Sequence, residues 1–245
     1  MVAELLEPRL WAALVVVILA GVLRGFTGFG AAMMIMPVLS TLYLPSDAVA
    51  MMMCLSLVAT IQLLPRALKT TDWQQVTPIT ISALLAVPLG ALVLVSVEPE
   101  IMRRAIGGGV LFFGLLLASG WRLHGRAGLA GALTAGSMSG AINGASGAGG
   151  GPVVLYMLAG PNSAETNRSS IITYYAILNA VTALTLGWHG VFSWPLVQRA
   201  ALLMLPFLAA TWLGTHLFLR SSDAAYRKLA LVALVGVGLY GLLSP

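Results

Sequence analysis

The chain has 245 residues, 59% of them hydrophobic and only 9% charged, with a mean hydropathy of +0.94. A soluble domain carries about 25% charged residues, so this composition excludes a water-facing surface and belongs in a membrane. The net charge of +5 does not point to nucleic acid, because the basic residues sit in short loops flanking apolar runs, where they set membrane orientation.

In chain order, the N-terminal stretch MVAELLEPRLWAALVVV carries Glu4 and Glu7, and no small-residue cleavage site follows its apolar run. It is therefore read as the start of a first membrane segment at Leu10 rather than a signal peptide. The apolar runs are 10–44, 48–64, 76–97, 101–121, 129–159, 171–188, 196–219 and 225–243. Most suit a single transmembrane helix of roughly 20 residues, but the first and fifth are on the order of 30–35. Each of these two is interrupted by glycine: GFTGFG at 25–30 and GAINGASGAGGGP at 140–152. Such a length fits a helical hairpin, or two short helices meeting at an irregular segment. Non-helical backbone at membrane depth persists only where protein or a wet cavity covers it.

The two long runs also open an internal duplication. Pro37 aligns with Pro152, Trp73 with Trp194, Gly90 with Gly214, and MRRAIGGGVLFFG from Met102 with YRKLALVALVGVG from Tyr226. The expected units are 1–124 and 125–245, within one integral membrane domain. If each long run is a hairpin, each half crosses an odd number of times and the halves are inverted. Arg66, Lys69, Arg122, Arg126, Arg168, Arg220, Arg227 and Lys228 then share one side, against Arg9, Arg103, Arg104 and Arg199. A parallel arrangement divides the charges nearly evenly, so the positive-inside rule favours inversion, with both termini outside the cytoplasm.

Gly144–Gly151 is too dense in glycine to be only a packing stripe, since consecutive residues occupy every face of a helix. Pro152 suits the first turn of a new helix, and such a start turns free N–H groups and a positive dipole end toward the break. Pro37 is expected to aim a second helix start inward, bringing two anion-binding ends together near the midplane. Thr27, Ser137, Ser139, Asn143 and Ser146 cluster around these breaks. Arg24 abuts the first glycine, either snorkelling to a membrane edge or attracting or gating an anion. Asn179, deep in an apolar run, reads as an interhelical hydrogen bond or a pathway contact. Arg168 reads as an orientation anchor.

Other features carry less. The clusters Met33–Met34–Met36 and Met51–Met53, beside Cys54, read as adaptable packing rather than a soft-metal site. Cys54 is the only cysteine, so no intrachain disulfide forms. Asp47 and Glu165 occupy corresponding edges and are the coupling candidates, against a plain loop-end role. His189 and His216 lie near helix ends. No catalytic or metal-site spacing is present and no cofactor is implied. No nucleotide-binding glycine loop is present either.

A glycine-rich stretch ending in proline, repeated in two halves of a chain this size, resembles the sulfite exporter TauE/SafE family over nearly the whole length. NGASGAGGGP places the family's motif on Gly144, Gly147, Gly149, Gly150, Gly151 and Pro152. GFTGFGAAMMIMP keeps Gly25, Gly28, Gly30 and Pro37 but has alanine and methionine where later glycines would stand, which points to a pathway asymmetric between the halves or a different substrate. The resemblance implies a multi-pass protein of a bacterial-type inner membrane that moves small anions such as sulfite, thiosulfate or organosulfonates. The expectation is an all-α integral membrane protein with two inverted repeats, each a glycine-broken hairpin plus three helices. It is a secondary transporter rather than an enzyme, working by alternating access, possessing a coupling proton or ion as a possible partner besides its anion and the bilayer. Arg24, Thr27, Gly28, Gly30, Pro37, Asn143, Gly144, Ser146, Gly147, Gly149, Gly150, Gly151, Pro152 and Asn179 are the expected binding residues, with backbone N–H groups holding the anion without a tightly held buried charge. A passive anion channel and a membrane-embedded assembly factor are the alternatives.

Overall fold

The computed structural model describes residues 8–119, 128–160 and 162–219. The elements among them are helices: α1 (Pro8–Thr27), α2 (Ala31–Leu42), α3 (Pro45–Thr70), α4 (Trp73–Ser96), α5 (Pro99–Ala118), α6 (Leu129–Ser146), α7 (Gly150–Leu158), α8 (Ala164–Trp188) and α9 (Trp194–Leu219). Five are long and apolar enough to cross a bilayer: α1 from Leu10, α3, α4, α8 and α9. The expected helix at 225–243 and the basic residues Arg122, Arg126, Arg220, Arg227 and Lys228 lie outside the described residues.

Both long apolar runs are broken, each over three residues, at 28–30 and 147–149. Gly28, Gly30 and Gly147 have φ of 84°, 86° and 66°, the left-handed region that side chains with a Cβ rarely enter. The freed backbone groups at each turn are tied by one hydroxyl. Thr27 Oγ1 donates to the Leu23 carbonyl at 2.8 Å and accepts from the Phe29 N–H at 3.2 Å. Ser146 Oγ donates to the Ile142 carbonyl at 2.7 Å and accepts from the Ala148 N–H at 3.2 Å. Thr27 and Ser146 are 119 positions apart in the chain, as are Gly28 and Gly147, and Gly30 and Gly149.

The expectation that Pro37 opens a helix is corrected by this geometry. The turn is complete at Gly30, so α2 begins at Ala31 and Pro37 lies inside it. Pro152 does sit in the first turn of α7. Aligning the two prolines thus puts the breaks a helical turn out of register. Gly144 also needs correction, because α6 runs unbroken to Ser146. A Cβ on Gly144 would lie 2.3 Å from the Val87 carbonyl oxygen of α4, so this glycine serves helix packing, as do Gly140 and Gly136 one and two turns earlier.

Close packing of this kind occurs twice among the described residues. Helix α6 lies along α4, and α1 lies along α9. A Cβ on Gly90 would meet the Ala141 carbonyl oxygen at 2.0 Å, and one on Gly214 would meet that of Val22 at 2.1 Å. Reciprocally, a Cβ on Gly25 would meet the Thr211 carbonyl oxygen at 2.0 Å, the role Gly144 has against Val87. With no hydrophobic driving force between helices in lipid, small residues allow the backbone approach that supplies dispersion energy. Helices α3 and α8 pack on each other between these two pairs. Trp73 and Trp194 each begin a helix directly after a capping side chain: Asp72 accepts from the Gln75 N–H, and Ser193 from the Leu196 N–H.

Candidate anion site at the two helix breaks

The two breaks meet. A cavity of about 20 Å³ lies between them, lined from the first by Phe29, Gly30 and Ala31 and from the second by Gly147, Ala148 and Gly150. Arg24, Ser56, Tyr175 and Asn179 complete its polar wall. That volume holds roughly one water molecule, which is smaller than an oxyanion of four heavy atoms.

Arg24 is 5% exposed, which rules out a snorkelling position. It also overturns the expectation of a site without a buried charge. Helix α1 carries it inward one turn before Gly28. Its Nη2 donates to Thr60 Oγ1 at 2.8 Å and to the Ser56 carbonyl at 3.3 Å. Both acceptors are neutral, and Arg24 Nε is buried without a hydrogen-bond partner among the described residues. Among the described residues no carboxylate pairs with this guanidinium; the Arg104–Glu100 pair is exposed. A charge held inside a membrane protein by neutral groups is costly and marks an ion path.

Asn143 stands 119 positions after Arg24 and one turn before Gly147. It is fully buried, and its Nδ2 donates to Thr182 Oγ1 at 3.0 Å and to Asn179 Oδ1 at 3.3 Å. Asn179 is thus both an interhelical hydrogen-bond partner and a cavity wall. The start of α7 is held by Ser139, whose hydroxyl donates to the Gly149 carbonyl and accepts from Tyr174 at 2.8 Å. Gly149 packs against Ser139 and Asn143, and Gly151 against the Phe113 ring. Outside the cavity, Arg168 Nη2 donates to the Gly25 carbonyl at 2.6 Å, and its side chain lies against Gly28.

The structure therefore gathers Arg24, Thr27, Gly28, Gly30, Asn143, Ser146, Gly147, Gly149, Gly150 and Asn179 around one junction. Of these, Arg24, Gly30, Gly147, Gly150 and Asn179 line the cavity; Thr27, Gly28, Asn143, Ser146 and Gly149 are not in its lining, nor are Pro37, Gly144, Gly151 and Pro152. Asp47 and Glu165 lie in the first turns of α3 and α8, and neither borders it. Sequence reasoning missed Ser56, Thr60 and Tyr175. Ser56 and Tyr175 are 119 positions apart, as are Thr60 and Asn179, so the register of the breaks would have found them.

Several apolar spans enclosing a broken-helix junction with a buried charge define a multi-pass integral membrane protein. A family profile described as sulfite exporter TauE/SafE matches residues 13–241, and the chain belongs to that family of transporters. It is 30% identical to a protein of Cupriavidus necator named "Probable sulfite/organosulfonate exporter TauE", over 97% of this chain and 95% of that protein. No solved structure matches the chain.

Proposed function

We propose that the protein is a secondary transporter that moves a small sulfur-containing oxyanion, of the sulfite, thiosulfate or organosulfonate class, by alternating access around the cavity between the two breaks. The observation that carries this is Arg24: a buried guanidinium with no carboxylate among the described residues, opening onto the N-terminal ends of α2 and α7. Those ends add N–H groups and partial positive charge. The two halves, 1–124 and 125–245, are inverted repeats in this account. It is supported by the recurrence of the three-residue break, of the close backbone contacts at Gly25 and Gly144 and at Gly90 and Gly214, and of the α1–α9 and α6–α4 pairings. It is also supported by the relative named as a sulfite/organosulfonate exporter. The cavity's volume of about 20 Å³ fits a contracted state, from which the breaks part to admit solute from either side. Asp47 and Glu165 are the groups proposed to carry a coupling proton. Orientation by the loop charges puts both termini outside the cytoplasm, in a bacterial-type inner membrane.

The test is flux of radiolabelled sulfite in reconstituted vesicles. Accumulation against a gradient in energised vesicles, lost in Arg24→Gln, is the expected result and separates a transporter from a passive channel. Undiminished accumulation by Arg24→Gln would overturn the site.

A further inference from the structure

Tyr175 is a second donor at this junction. Its side chain is 7% exposed, and its hydroxyl is buried with no hydrogen-bond partner among the described residues. The neighbouring Ser139 hydroxyl accepts from Tyr174 and donates to the Gly149 carbonyl. The ring is held edge-on to Tyr174, with centroids 5.2 Å apart. The hydroxyl lies where a side chain on Gly150 would begin, 2.8 Å from an added Cβ. Gly150 therefore leaves room for this hydroxyl at the first residue of α7. Arg24 and Tyr175 line the same cavity from α1 and α8, and each brings one unused donor, Nε–H and O–H. At the position 119 residues before Tyr175 stands Ser56, which has no comparable reach.

We propose that Tyr175 is a specificity-determining residue: with Arg24 it donates to the oxygens of the bound anion, so that the site prefers compact oxyanions over weakly hydrated anions of similar charge. This rests on the anion site proposed above. An anion with few strong acceptors leaves both donors buried and unmatched, and sites built from such donors discriminate strongly. Tyr175→Phe removes one donor and keeps the ring.

The experiment measures binding of sulfite and of thiocyanate to the purified full-length protein and to Tyr175→Phe and Gly150→Ala. The expected result is a sulfite-over-thiocyanate preference in the wild type that falls about tenfold or more in Tyr175→Phe, the scale of one charge-assisted hydrogen bond. Gly150→Ala displaces the hydroxyl and lowers the same ratio. Combined with Tyr175→Phe it adds little further, since both act on one group. An unchanged ratio in Tyr175→Phe, with binding intact, overturns the assignment and leaves the anion site standing; this is also the result if the hydroxyl only holds a structural water. If the wild type binds neither anion, the anion site fails and the assignment fails with it.

Discussion

At the first break, Thr27 ties the turn and Arg24 stands one turn before it. At the second, Ser146 ties the turn in the same way, but Asn143 stands in the place of Arg24. The first continues into alanine and methionine, and the second into glycines that admit Ser139, Tyr175 and Phe113. The scaffold is repeated while the chemistry is divided. One half supplies the charge; the other supplies room and neutral polar groups. In the proposed site an anion held between them touches unlike walls, with the Arg24 guanidinium on one side only. A second arginine at position 143 would add like-charge repulsion in a low-dielectric site.

The largest effect is expected where the halves are alike. Gly90→Leu and Gly214→Leu each drive a side chain into a backbone carbonyl about 2 Å from the new Cβ. Both are expected to destabilise the protein at or above the roughly 3 kcal/mol top of the usual overpacking range. Thermal unfolding of the purified variants checks this, and a large difference between the two would break the equivalence of the helix pairs. Next comes the contrast between the halves. Arg24→Gln is expected to weaken sulfite binding about 100-fold or more, on the scale of removing one member of a buried charged interaction. Asn143→Ala is expected to weaken it by roughly tenfold or less, on the scale of neutral hydrogen bonds. Equal losses in titrations of the two variants would refute the division of labour. The smallest effect returns to likeness: Thr27→Val and Ser146→Ala each remove one turn-tying hydroxyl and should cost about 1 kcal/mol of stability. Chemical denaturation in detergent reads that difference.

Much of the scaffold was legible in the sequence because hydropathy and glycine density report directly on what lipid permits. The break at 25–30 and the one inside 140–152 were visible for that reason, and so was the pairing of Gly90 with Gly214. Two things were not. Pro37 looked like a helix start because proline suits a first turn, yet the left-handed Gly30 had already ended the break seven residues earlier. Gly144 looked like part of the break because composition cannot separate a glycine that turns the chain from one that lets α4 approach. The site was read in part. Arg24 and Asn143 were named, but burial of Arg24 depends on α3 folding over it. Tyr175 gave no sequence signal of its own, since a tyrosine in an apolar run resembles ordinary packing until its hydroxyl is seen to lack a partner.

The most direct test of the central claim is equilibrium binding of radiolabelled sulfite to the purified protein and to Arg24→Gln. Both are first shown to be folded by size-exclusion profile and thermal transition. Saturable binding by the wild type that is lost in a folded Arg24→Gln is the expected result. Binding of equal strength in both would contradict the account, because the buried charge of Arg24 would then have no part in holding the anion.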